Sequence, residues 1–223
     1  MPIPLILIGA GAGLTATGIW IYNNYFKGLN IFALGPQKSG KTTFQHYLRT
    51  KEKLYKTNRT NWEILNPSKF TTIDGRTIKL KKGIDAGGFE VKNRKRLEEE
   101  FFKSDITFYI FDVSKVYKGK KDEDYYKKVV YELELIHVWM NQKGKSQKTP
   151  EIILLGSKPD LIEGLSYEKM DDSEKHEVKK AVFKIFERKF NQIETPIINF
   201  FICNILDDEE FDKMITEVLN LNP

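Results

Sequence analysis

The residues best equipped for chemistry stand together at Gly35-Pro36-Gln37-Lys38-Ser39-Gly40-Lys41-Thr42. Their spacing, G-x-x-x-x-G-K-[ST], is that of a loop that cradles phosphate groups. Glycines let the backbone turn tightly enough to aim successive N–H groups at phosphate oxygens, and the helix that follows adds its positive end. In such a loop Gly35, Gln37, Lys38, Ser39, Gly40, Lys41, Thr42 and Thr43 line the phosphates. Lys41 bridges the outer ones and the Thr42 hydroxyl ligates Mg²⁺. The plain alternative is a glycine-rich turn that binds nothing.

The flanking elements must position that loop. Leu29 to Leu34 is a short apolar run that reads as a buried strand, and Thr43 to Arg49 begins a helix with Phe44, Tyr47 and Leu48 on one face. Lys51 to Lys69 lacks a clean period and reads as an exposed loop. Phe70–Ile73 and Thr77–Ile84 alternate around Asp74-Gly75, a hairpin signal, and the second strand ends in Asp85-Ala86-Gly87-Gly88. The charged stretch Val91–Lys103 reads as helix and Ile106–Val113 as a strand buried on both faces. Tyr125–Met140 is a helix with Val129, Leu133, Ile136 and Met140 on one side. The strand Glu151–Leu155 ends in Gly156-Ser157-Lys158-Pro159-Asp160, and a helix over about Ser173–Gln192 turns Val178, Val182, Ile185 and Phe186 inward. Ile197–Ile202 is the last strand and Asp208–Leu221 the last helix. Strands alternating with helices, apart from one hairpin, predict a three-layer α/β domain over 27–223 on a mostly parallel sheet.

Ahead of that domain, Pro2 to Phe26 carries no charged side chain, and Ile3 to Tyr22 is almost wholly apolar or small. About twenty such residues in a helix cover the ~30 Å hydrocarbon core. Trp20, Tyr22 and Tyr25 gather at the far end, with Lys27 directly after, so 1–26 reads as a transmembrane anchor with the domain in the cytoplasm. A cleaved signal peptide is the rival, but there is no basic leading region. Gly9 and Gly13 form a G-x-x-x-G pair that suits close helix association. The single cysteine, Cys203, excludes an internal disulfide framework. The net charge of +5 suits an anionic lipid surface, and no aromatic-basic module points to nucleic acid. His46, His137 and His176 show no ligand spacing among themselves or with Cys203.

The phosphate loop, an Asp-x-Gly-Gly after the third strand (Asp85 to Gly88) and a Lys-x-Asp after the fifth (Lys158 to Asp160) together resemble the small GTPases. Asp85-Ala86-Gly87-Gly88 looks most like the Arf branch. A single membrane helix directly before the domain looks like the signal-recognition-particle receptor beta subunit. The resemblance runs from Leu29 to Leu221 in element order. It implies a GTPase that binds GTP or GDP with Mg²⁺ and meets a protein partner at its switch segments. Asp85 would hold Mg²⁺ through a water, and the Gly88 N–H would sense the γ-phosphate. Asp160 would accept from guanine N1–H and the 2-amino group, with the Lys158 stem on the purine; a buried carboxylate there rejects adenine. Ser157 stands where Asn is usual, which weakens the loop-bracing contact. Cys203 and Asn204 lie where the last guanine loop falls, their backbone facing the base oxygen. Thr60 would be the second Mg²⁺ ligand by spacing, with Thr57, Ser68 and Thr71 as competitors.

Two departures bear on hydrolysis. Phe89 stands where the family carries a water-orienting Gln, so intrinsic turnover is expected to be slow or to need a partner. Gln37 and Lys38 occupy loop positions that are glycines in Ras-like proteins. Lys38 could stabilise transition-state charge as a built-in cation and Gln37 could meet the γ-phosphate or lytic water, unless both simply face solvent. Lys92, Arg94, Lys95 and Arg96 follow in the second switch, as a solvated face or a contact for lipid headgroups or a partner.

Overall fold

The computed structural model describes residues 28–54, 62–88, 93–117, 122–142, 149–190 and 197–220. The expected membrane span, Thr60, Phe89 and Lys92 lie outside them. Among the described residues no helix is long and apolar enough to cross a membrane.

In chain order the elements are β1 (Ile31–Leu34), α1 (Lys41–Thr50), β2 (Glu63–Leu65), β3 (Ser68–Thr71), β4 (Thr77–Leu80), β5 (Gly83–Asp85), α2 (Arg94–Lys103), β6 (Ile106–Asp112), α3 (Glu123–Gln142), β7 (Glu151–Ser157), α4 (Asp172–Phe190), β8 (Ile197–Cys203) and α5 (Asp208–Asn220). Four strands form one parallel sheet in the order β1-β6-β7-β8. All seven residues of β6 are buried, because helices cover both of its faces.

Side chains alternate along a strand, so each strand feeds two cores. Phe32, Leu34, Tyr109, Phe111 and Leu154 pack with Leu97 and Phe101 of α2, Val129 and Trp139 of α3, and Val178, Val182 and Phe186 of α4. On the opposite face Ile31, Ala33, Phe108, Ile110 and Leu155 meet Phe44 and Leu48 of α1 and Phe211, Met214 and Ile215 of α5. The protein is therefore an α/β fold, with a four-stranded parallel sheet between helices. The chain leaves β1 through a helix on one face and reaches β6 from a helix on the other. That reversal opens a crevice at the carboxyl ends of Leu34 and Asp112, where ligands of open α/β sheets bind.

The stretch between α1 and β6 departs from the sequence expectation. The loop expected over Lys51–Lys69 contains β2 and the start of β3, and the expected strand Thr77–Ile84 is two strands. The reason is visible along the chain: Ile78 and Leu80 are buried in alternation, then Lys81 and Lys82 are both exposed and the period slips. β3 and β4 form the expected hairpin around Asp74-Gly75, whereas β5 turns away to pair antiparallel with β2. The hairpin buries Phe70, Ile78 and Leu80 in the core of the α1 face. Leu29, just ahead of β1, is fastened to it: the Leu29 N–H donates to Lys79 O (2.7 Å) and the Lys81 N–H to Leu29 O (2.8 Å).

Candidate functional site

The loop from Gly35 to Gly40 joins β1 to α1 at the mouth of the crevice. Gly35, at φ +135°, is pressed onto the neighbouring strand: a Cβ there would lie 1.9 Å from Ile110 O. Lys38 (φ 63°) and Gly40 (φ 95°) also take the left-handed region, so the loop bends back on itself before the helix begins. Gly40 caps α1 with no side-chain hydrogen bond, and no acidic residue lies in the first turn. The first turn of α1 therefore carries no side-chain cap and no negative charge of its own.

Lys41 is only 6% exposed. Its Nζ donates to Pro36 O (2.5 Å) and lies 3.5 Å from Ser39 Oγ. Burial pulls its pKa down to about 8, opposed by the carboxylates of Glu132 and Asp85. Asp85 is buried at the end of β5. Glu132 of α3 is fully buried and accepts from Tyr109 OH (3.0 Å), and burial pushes its carboxyl up to about 7. Lys41 thus sits between a helix N-terminus and two acids.

The end of β7 braces the loop. Ser157 Oγ lies 2.7 Å from Ser39 O and 3.0 Å from Phe111 O. A hydroxyl has one proton, so it donates to one carbonyl at a time. The Ser157 hydroxyl thus bridges the loop to the end of β6. Lys158, itself in the left-handed region (φ 59°), reaches over with Nζ to Lys38 O (2.5 Å) and to Asp112 Oδ2 (2.9 Å). Asp112 is tied in turn: its N–H donates to Tyr125 OH (2.7 Å), and its Oδ1 accepts from Ser114 Oγ (2.6 Å). Ile205, after β8, closes the far side, 3.3 Å from where a Gly40 Cβ would be.

Gly88 completes the mouth. A Cβ on it would fall 2.7 Å from Gln37 Cγ and 3.0 Å from Gln37 N, so the Asp-x-Gly-Gly segment touches the loop after β1. Gln37 and Lys38 are both exposed. Mg²⁺ usually takes one or two protein oxygens and completes its shell with phosphate and water. Thr42 lies in the first turn of α1, and the Asp85 carboxylate is close enough for its charge to act on Lys41. Among the described residues no three His, Cys, Asp or Glu gather into an all-protein cage.

The structure places four of the expected site residues as follows. The Asn204 N–H donates to Glu210 Oε2 (2.9 Å) and its Oδ1 accepts from Leu206 N, so this amide serves α5 rather than facing a base. The Cys203 side chain lies in the core, where burial pushes its thiol up. Asp160 is exposed at the rim instead of buried. The Thr43 hydroxyl is spent on Leu54 O (3.3 Å), which leaves its backbone for a ligand. Asp112, Glu132 and Ile205 were missed. Asp112 could have been found as the acid closing a buried strand, and Glu132 as the charge three residues beyond Val129, inside the apolar stripe of α3. Ile205 carries no such signal. No protein-family model matches this chain, and no curated protein matches it in sequence.

Proposed function

We propose that this chain is a membrane-anchored guanine-nucleotide-binding protein of the small-GTPase type, holding GTP or GDP with Mg²⁺ and hydrolysing GTP slowly as a molecular switch. One observation carries the reading. The strand-end segment Ser157-Lys158 is hydrogen-bonded to the carbonyls of Ser39 and Lys38, so a base at Asp160 and phosphates at Lys41 would sit at two ends of one braced surface.

In this reading the α1 amides and Lys41 hold the phosphates, and Thr42 and Asp85 hold the ion. Bound Mg²⁺ would neutralise charge on the outer phosphates. Binding at Lys41 means exchanging Pro36 O for phosphate oxygens, which returns a buried ammonium to a full set of acceptors. Gln37, against Gly88, links the loop to the segment that would respond to the γ-phosphate. The N-terminal stretch 1–26 would be the anchor, on the strength of its length and lack of charge.

Phe89 in place of the usual Gln favours a second reading, a GTP-holding receptor or scaffold without turnover. The full chain, purified in detergent or nanodiscs and then denatured, should release a guanine nucleotide on chromatography. An adenine nucleotide would overturn the assignment of Lys158 and Asp160. Single-turnover hydrolysis of bound GTP separates switch from scaffold: slow conversion supports the first, intact GTP the second.

A further inference from the structure

The β3–β4 hairpin buries one face and gives the other to lysine. Lys69 and Lys79 are directly opposite one another in the ladder, both exposed, and Lys81 and Lys82, both exposed, follow directly after β4. Like charges facing across an antiparallel pair repel at a Cβ separation of about 5 Å, a cost that nothing in the hairpin offsets. Lys81 has Asp105 (3.3 Å), but no described carboxylate pairs with Lys69, Lys79 or Lys82. These lysines and Gly28 line one shallow groove.

Gly28 is where the described chain begins, and it is pressed onto this hairpin: a Cβ there would meet Lys79 O at 3.0 Å. The residues before it are Lys27 and the uncharged stretch 2–26. An apolar segment of that length therefore leaves the domain at its lysine-rich groove. If the segment enters a bilayer, the hairpin is the surface held nearest the headgroups.

We infer that the exposed face of the β3–β4 hairpin binds the anionic headgroups of the membrane into which the N-terminal segment inserts, with Lys69, Lys79 and Lys82 as the contact residues. This rests on the anchor reading for its geometry and is independent of the nucleotide. Anionic lipid supplies the counter-charge that the Lys69–Lys79 pair lacks, and it fixes the domain's orientation with the hairpin toward the bilayer.

The test is lysine acetylation of the full chain, read by mass spectrometry, in nanodiscs of phosphatidylcholine alone or of phosphatidylcholine with phosphatidylserine. Lys69, Lys79 and Lys82 should react roughly fivefold more slowly in the anionic discs and recover as salt is raised. Lys180, exposed on α4, should be indifferent to lipid composition. Equal rates in the two discs, with the chain retained in both, overturn the hairpin contact and leave the anchor standing. Loss of the chain from neutral discs, with protection kept in anionic ones, removes the anchor and upholds the contact. Loss from both overturns the two together. Protection by added RNA homopolymer, with no effect of anionic lipid, overturns the contact and reassigns the lysines.

Discussion

With Lys41 buried and its pKa pulled down to about 8, its charge becomes a variable within the ordinary range of pH. A lysine that sheds its proton at 8 when folded and near 10.5 when unfolded binds fewer protons in the native state between those values. The nucleotide-free fold therefore gains stability as pH rises from 8 toward 10.5. In the proposed reading, affinity for phosphates would run the other way, since they would need the ammonium. It should be level below about pH 7 and fall by up to about tenfold per unit above 8. Calorimetry at pH 8.5 in two buffers of different ionisation enthalpy would show the proton uptake, and none would place Lys41 outside the binding step. Glu132 sets the position of that break. In Glu132→Gln one of the two acids holding the Lys41 proton is gone, so affinity should begin to fall at a lower pH. Its carboxyl is raised to about 7, so its burial penalty is absent below 4.5 and complete above 7. The variant should gain on the order of 1–2 kcal/mol in urea unfolding at pH 8 and nothing at pH 4.5. Unchanged profiles in both assays would make Glu132 a bystander.

Among the elements, the loop after β1 has the least freedom to change. Gly35→Ala must both adopt φ +135° and push its Cβ away from Ile110 O, which moves β1 relative to β6. It should cost about 3 kcal/mol or more in chemical denaturation. Gly75→Ala in the hairpin, at φ +82° with nothing within 4 Å, should cost only about 1–2 kcal/mol. Comparable losses at the two sites would mean that the close approach at Gly35 relaxes freely. The elements readable in sequence were those whose burial is decided locally. β6 and β7 are continuous apolar runs, and α3 carries its stripe at Val129, Leu133, Ile136 and Met140. β2 was not readable, because Glu63-Ile64-Leu65 is short and Ile64 is 57% exposed, so its pairing with β5 leaves no burial period. The candidate site divides the same way. Gly35 to Thr42 and Ser157 to Lys158 are contiguous signatures of local geometry. Asp112, Glu132 and Ile205 reach the crevice only through the order of the strands, and Asn204 is claimed by Glu210, whose position depends on how α5 begins.

At the scale of the molecule, two cores share one sheet, and a ligand bound as proposed at its carboxyl edge would bridge loops that leave several of its strands. Binding there should stabilise the whole unit rather than a single loop. At a hundred times its dissociation constant the proposed guanine nucleotide would add about 2.7 kcal/mol, a rise of roughly 5–10 °C in melting temperature for a domain of this size. Thermal unfolding with GDP and Mg²⁺, against ADP and Mg²⁺, checks it: equal shifts would remove guanine selectivity. The Leu29 clamp has a mechanical consequence. A pull on the N-terminal segment would reach Leu29 before β1, and there its N–H and C=O are both fastened to the hairpin backbone at Lys79 and Lys81. Part of that tension is diverted into the hairpin and, through Phe70, Ile78 and Leu80, into the core beneath α1. The loop after β1, a short strand further on, is shielded by a knot of two hydrogen bonds, so lateral drag on the N-terminal segment would loosen the hairpin before it opened that loop.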